Sequence, residues 1–223
     1  ATCDAGVAPM SIYADLEWPS PPADRPYVFM NMVSTIDGKI LTGERDEPVM
    51  DLGSSLDHAT MRYLESQADA VLIGSRSLRA TPGIWYERSL KRVVMTRSGD
   101  LPWHSRFFTD APNMAFVAGG DRPLPDQVRR LPSEPADVLR ALREEGVQRL
   151  LIEGGSEINA VFLAADLVDE LFLTLAPKIK LGRDVPTIAD GEPLSRSTVQ
   201  NWSLMSHVAR ESELFLRYRR NRA

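Results

Sequence analysis

One stretch limits what this chain can fold into more than any other: Arg149-Leu150-Leu151-Ile152-Glu153-Gly154-Gly155-Ser156-Glu157-Ile158-Asn159-Ala160-Val161-Phe162-Leu163. Leu150 to Ile152 read as a buried strand. Gly154 and Gly155 then let the backbone turn where a Cβ would obstruct it. Ser156 is placed as the N-cap of a helix whose apolar stripe is Ile158, Val161, Phe162 and Ala165. A strand ending in Gly-Gly at a helix N-terminus presents free N–H groups and the positive end of a dipole, which suit a phosphate. Gly-Gly also makes an ordinary tight turn, and the pattern is not G-x-G-x-x-G, so a dinucleotide site needs support from elsewhere in the chain.

The same alternation recurs on both sides of that stretch. Tyr27 to Ser34 is near-continuously apolar, as a central strand should be, and ends at the turn signal Asp37-Gly38. Residues 41–56 form a polar loop long enough to cover a site, and Ser54 or Ser55 then opens a helix with Met61 and Leu64 facing inward. Ala70–Gly74, Leu90–Met95 and Met114–Ala118 read as further strands, Ala136–Glu145 as a helix and Leu167–Leu175 as a strand. Trp202–Val208 and Glu213–Tyr218 read as an antiparallel hairpin. Strand and helix in alternation predict an α/β domain with a mostly parallel sheet and an antiparallel edge. Residues 1–24 form a proline-rich arm before a single domain over 25–223; Ile12, Tyr13, Leu16 and Trp18 are expected to dock it on the domain or on a partner subunit.

Charge and cysteine usage exclude several classes. A net charge of -5 argues against nucleic acid, and the basic end Arg217 to Arg222 is read as a solvated tail. The single cysteine, Cys3, permits no internal disulfide, and three scattered histidines predict no metal site. No run reaches the roughly 20 apolar residues that span a bilayer, and no signal-peptide pattern is present, so the expected compartment is the cytoplasm.

In an open α/β sheet, ligands bind beyond the carboxyl ends of the strands. Here those ends carry Asp37-Gly38, Gly74-Ser75-Arg76-Ser77, Thr96-Arg97-Ser98, Gly119-Gly120 and Glu153-Gly154-Gly155-Ser156. Two arginines and several hydroxyls on one rim suit a ligand with more than one phosphate. Gly154-Gly155 would take a pyrophosphate, and Arg97 with Thr96 and Ser98, or Arg76, would select the 2′-phosphate of NADPH.

The chain resembles the reductase domain of riboflavin biosynthesis, the C-terminal domain of RibD-type enzymes, over about residues 25–220. The resemblance is carried by Arg25-Pro26-Tyr27-Val28, Ser34-Thr35-Ile36-Asp37-Gly38-Lys39-Ile40, Ala68-Asp69-Ala70-Val71-Leu72-Ile73-Gly74, Arg92-Val93-Val94-Met95, Leu151-Ile152-Glu153-Gly154-Gly155, and Leu167 to Leu171 running to Ala176-Pro177. It implies the dihydrofolate reductase-like fold, a three-layer α/β sandwich with a mostly parallel central sheet and an antiparallel C-terminal hairpin. It also implies NADPH as cofactor, a small-molecule substrate and a homodimer. Carried over by position, Val33 lies beside the nicotinamide, Gly74 and Ser77 border the cofactor, and Thr96 and Arg97 lie near its adenosine end. Gly155, Ser156, Glu157 and Ile158, on to Val161, wrap the pyrophosphate. Glu153 matches a substrate-contacting glutamate, and Asp37 matches an Asp-Gly that acts in catalysis or shapes the loop over the site.

The implied activity is that of a 5-amino-6-(5-phosphoribosylamino)uracil reductase, with hydride delivered to the ribose C1′. The substrate side departs from the family pattern. Pro48-Val49-Met50 replaces a Ser-x-Trp, Glu65 replaces a phosphate-binding arginine, and Thr81-Pro82-Gly83-Ile84 replaces an Asp-Asp-Pro-x-Leu. Met50, Glu65, Trp85 and Glu153 are therefore the substrate candidates, with Trp85 and Tyr86 as aromatic walls. A pterin such as dihydrofolate is the alternative substrate, because Glu65 or Glu153 would pair with a cationic ring. A non-catalytic nucleotide-binding protein that kept the fold is the second alternative.

Overall fold

A computed structural model describes residues 12–13 and 16–222; residues 1–11 of the arm, with Cys3, and residues 14, 15 and 223 lie outside the described residues. The apolar runs become strands β1 (Tyr27–Thr35), β2 (Ala70–Gly74), β3 (Lys91–Met95), β4 (Ala115–Ala118), β5 (Arg129–Leu131), β6 (Arg149–Ile152) and β7 (Glu170–Ala176). The C-terminal hairpin is β8 (Trp202–Arg210) and β9 (Glu213–Arg220). Helices are α1 (Ser55–Ser66), α2 (Ser75–Ala80), α3 (Arg106–Thr109), α4 (Pro135–Glu144) and α5 (Ser156–Ala164). The nine strands form one sheet in the order β5-β4-β3-β2-β6-β1-β7-β9-β8. β1 to β7 pair in parallel, while β9 runs antiparallel to both β7 and β8.

Side-chain alternation sends successive strand residues to opposite faces, so a sheet covered on both sides needs apolar residues at every position. Val28, Met30, Leu150 and Ile152 face a core closed by Val138, Leu139 and Leu142 of α4 and Phe162 of α5. Phe29, Val71, Ile73 and Leu151 face the opposite core, closed by Leu56 and Leu64 of α1 and Phe107 and Phe108 of α3. The result is the expected three-layer α/β sandwich. The described part of the arm docks on the chain's own sheet: Ile12 and Tyr13 are buried, the Tyr13 ring sits 4.9 Å from Phe172, and the Trp18 ring sits 4.6 Å from Phe29.

Several expectations are corrected. β5 and α3 are not foreseen, being three and four residues long with no room for a period. Met61 is only half-buried and turns to the cleft, while Leu64 is buried as expected. In α5, Gly155 rather than Ser156 occupies the N-cap, and the buried residues are Ser156, Asn159 and Phe162. Val161 is 45% exposed, and Asn159 is accommodated in the interior because its amide donates to the Ile188 carbonyl at 2.7 Å.

The basic tail is not a solvated end. Arg217 and Arg219 clasp the fully buried Glu170, and Arg220 and Arg222 pair with Asp166. Arg222 also joins Arg25 on Asp169. A buried carboxylate needs such partners, so these arginines are bound to the fold. Among the described residues no helix is long and apolar enough to cross a membrane.

Candidate active site

The carboxyl ends of the parallel strands open into one cleft of about 2050 Å³. Val33 of β1, Gly74 of β2, Met95 to Ser98 after β3 and Glu153 after β6 all reach it, with Arg76 and Ser77 of α2 and Ser156, Glu157 and Ile158 of α5. Met50 and Trp85, both exposed, line it from the flanking loops. Three sequence-predicted site residues do not line it: Asp37, Glu65 and Gly154. Each does something else.

Gly154 makes the turn between β6 and α5. It holds φ +86°, a conformation open to glycine at little cost, and the Gly154–Gly155 peptide is cis. Its carbonyl accepts a hydrogen bond from the Gly74 N–H at 2.7 Å, locking the end of β2 against the start of α5. A Cβ on Gly74 would stand 2.9 Å from Ile158 Cγ1, so glycine there permits the close approach. The first N–H groups of α5 consequently face the cleft from a fixed position.

Around them, Arg97 and Arg76 converge on Glu157, Arg76 at 3.5 Å from its Oε1. The Arg97 side chain is 91% exposed and free to exchange Glu157 for a ligand phosphate. Thr96 and Ser98 are committed to the turn instead. Thr96 Oγ1 accepts from Gly99 N–H at 3.1 Å, and Ser98 Oγ accepts from Asp100 N–H at 3.2 Å. Their hydroxyls shape the loop that carries Arg97.

At the other end, Glu153 follows β6 directly and, like Trp85, lines the cleft. Its Oε2 accepts from the Tyr86 hydroxyl at 2.8 Å, whereas its buried Oε1 has no hydrogen-bond donor among the described residues. Burial, reinforced by the neighbouring charge of Glu65, pushes the Glu153 carboxyl up to about 8. Glu65 is buried as well, and desolvation raises its carboxyl. It does not line the cleft and is held at 3.0 and 2.7 Å by Nη1 of Arg62. That guanidinium also donates to the Trp85 carbonyl and lies 4.5 Å from the centre of the Trp85 ring. Arg62 went unread in the sequence, although its position three residues before Glu65 on a helix is the signal for the pair.

Asp37 lies at the turn after β1. Its carboxylate accepts from the Thr35 hydroxyl at 2.6 Å and from the N–H groups of Lys180 and Leu181 at 3.1 and 2.8 Å. The Thr35 hydrogen bond, with those of the two backbone amides, lowers it to about 2. A carboxylate so held is a permanent acceptor that joins the β1 turn to the loop after β7, and it lies outside the cleft. Lys178 and Lys180 extend the join by donating to the carbonyls of Leu52 and Thr42 at 3.0 and 2.7 Å.

This geometry belongs to a known family. The RibD C-terminal domain family model matches residues 26–216. The chain belongs to the RibD C-terminal domain family. A relative from Methanothermobacter thermautotrophicus, named 2,5-diamino-6-ribosylamino-4(3H)-pyrimidinone 5′-phosphate reductase, is 31% identical over 75% of this chain and 85% of its own. A relative of the same name from Aquifex aeolicus is 25% identical over 86% of this chain and 95% of its own. Among solved structures, Acinetobacter baumannii RibD superposes with a TM-score of 0.75 at 20% identity, covering 89% of this chain and 59% of that one. Dihydrofolate reductase from Enterococcus faecalis, complexed with NADP(H), superposes with a TM-score of 0.54 at 15% identity, covering 87% of this chain and 96% of its own. These two likenesses show the fold, a dihydrofolate reductase-like sandwich.

Proposed function

We propose that this chain is an NADPH-dependent reductase of a ribosylamino-pyrimidine 5′-phosphate, acting at the ribose C1′. The observation that carries the reading is the pairing, in one cleft, of a rim of two arginines and a helix N-terminus with a buried carboxyl, Glu153, that desolvation raises to about 8. The reductase names of the relatives support the substrate class. A ribosylamino group holds C1′ at the oxidation level of an aldehyde, and that carbon is the one a hydride donor reduces. Pairing with a cationic pterin ring requires an ionised carboxylate, and burial with the charge of Glu65 disfavours that form of Glu153.

The residues fit the cofactor. The cleft, at about 2050 Å³, has room for a dinucleotide, and the N-terminal amides of α5 at Gly155 and Ser156 suit its pyrophosphate. Arg76 and Arg97 suit a 2′-phosphate, and Val33, which lines the cleft, would border the nicotinamide. When bound, the reduced nicotinamide supplies the hydride. The protein orients C1′ against Val33, excludes water with Trp85 and the loop around Met50, and offers a proton at Glu153 for the sugar oxygen.

The test is steady-state oxidation of NADPH and NADH with the ribosylamino-pyrimidine phosphate and, separately, with dihydrofolate. Turnover of the first substrate, preferring NADPH, supports the reading. Turnover of dihydrofolate alone, or of neither, sinks it. We further propose that the chain forms a homodimer through β8. This strand lies at the sheet's edge and exposes Leu204 and Met205, a surface that second-copy pairing would cover. Light scattering that returns a monomer mass would remove the dimer.

A further inference from the structure

Two carboxyl groups meet behind the cleft wall, and their arrangement is unusual enough to need a cause. Glu153 Oε1 is buried without a donor, and the neighbouring acceptor is the carboxyl of Glu65. Ionised carboxylates only accept hydrogen bonds, so two of them in contact need a proton between them. The groups facing the pair come from three elements. α1 contributes Arg62; the segment between α2 and β3 contributes Tyr86 and Glu87; the end of β6 contributes Glu153 itself. One cation thus faces three carboxyls, and Tyr86, its hydroxyl raised well above its ordinary value by burial, stays neutral. Each carboxyl has a held partner: Glu153 bonds Tyr86, whose ring centre lies 6.2 Å from that of Phe107, and Arg62 Nη1 bonds both oxygens of Glu65.

We propose that Glu65 and Glu153 hold one proton between them, and that Glu65 is the positioning residue that keeps this proton on the cleft-facing carboxyl until the substrate's ring oxygen takes it. The inference rests on the reductase reading above and assigns a role to the residue that replaces the family's arginine. In the step, C1′ gains the hydride with its electron pair as the C1′–O4′ bond breaks. The electrons of that bond go to O4′, which takes the shared proton and becomes a hydroxyl. Substrate is reduced by two electrons, the nicotinamide is oxidised by two, and the pair is left doubly ionised. Arg62 and the Tyr86 hydroxyl bear that charge until product leaves and solvent, readmitted to the emptied cleft, returns a proton.

The experiment is a set of pH–rate profiles for the wild type, Glu65→Gln, Glu65→Asp and Glu153→Gln, together with NMR titration of carboxyl-labelled glutamate in each purified protein. NADPH titration, read at the far end of the cleft, shows that each variant is folded. In the wild type, kcat should fall as pH rises through about 8. In Glu65→Gln the like charge is gone, so the falling limb should move to lower pH by a unit or more, with kcat at pH 8 reduced about tenfold and kcat at pH 5.5 within about twofold of wild type. Glu65→Asp should return the limb toward its original position. A limb that stays in place in Glu65→Gln, or a loss equal at every pH, overturns the proposal. The NMR titration separates the two readings. If Glu153→Gln keeps full activity, the role of Glu153 as proton donor fails, whereas a Glu153 resonance whose midpoint is unmoved in Glu65→Gln fails the shared proton alone.

Discussion

The Gly74 N–H donates to the Gly154 carbonyl at 2.7 Å, so the cleft-facing end of β2 and the turn before α5 are one rigid piece. A methyl group at Gly74 would press on Ile158 Cγ1 at 2.9 Å and on the Gly155 nitrogen at 3.4 Å. Gly74→Ala should therefore displace the start of α5, lowering NADPH affinity about tenfold and stability by roughly 1–3 kcal/mol, the usual range for overpacking. Fluorescence titration and urea unfolding read the two effects. Adding Ile158→Ala should recover part of both, because it removes the atom in the way.

Arg76 and Arg97 share Glu157 as their counter-ion at the rim. Pairs this exposed contribute little to stability, so their substitution should change it by less than about 0.5 kcal/mol. Their effect belongs to binding. Arg76→Ala with Arg97→Ala should weaken NADPH about tenfold and leave NADH nearly unchanged, because the lost partner is a phosphate that NADH lacks. Glu157→Gln should strengthen NADPH binding, since it frees both guanidiniums. Equal losses for the two nucleotides would place the arginines elsewhere than at a 2′-phosphate.

Asp37 is a loop anchor. Its lowered carboxyl means that the folded state holds the ionised form more strongly than the unfolded chain does. The contribution is present above the ordinary carboxylate range and is lost as pH falls from about 4 to about 2. Asp37→Ala should loosen the join to Lys180 and Leu181, raise the substrate KM severalfold, and speed proteolysis in the loop after β7. A collapse of kcat to the level of Glu153→Gln, with KM unchanged, would instead place Asp37 in proton transfer.

What could be read from the sequence follows from physical range. β1, β2 and β6 were legible because strands covered on both faces must be apolar throughout. The rim was legible because glycines and arginines at strand ends are local signals. Asp37 was legible as a residue that acts in catalysis or shapes a loop, but its loop partners were not, because Lys180 and Leu181 stand 143 and 144 residues away and only the folded chain brings them to it. Glu65 was legible as a departure from the family pattern but not as the neighbour of Glu153, a contact between α1 and β6 that no periodicity encodes. The register of α5 was lost for a different reason. Ser156-Glu157-Ile158-Asn159-Ala160-Val161-Phe162-Leu163-Ala164 is apolar on most sides, so its pattern cannot say that Val161 faces the cleft and Asn159 the interior.

The raised carboxyl of Glu153 also fixes how stability should vary with pH. Its folded-state value, about 8, exceeds its ordinary value of 4.5, so between those limits the folded protein binds a proton that the unfolded chain releases. Unfolding free energy must then fall as pH rises through that window, by up to about 1.4 kcal/mol per pH unit for one proton. Glu65 and Asp57, both raised by burial, act in the same direction. Urea unfolding at pH 5.5 and 7.5 should show the wild type more stable at the lower pH. Glu153→Gln, which cannot ionise, should reduce that difference and gain stability relative to wild type at pH 7.5. Wild-type curves that coincide at the two pH values, with Glu153→Gln no flatter, would mean that Glu153 is already ionised in the folded protein, and the cleft would then hold no proton to give.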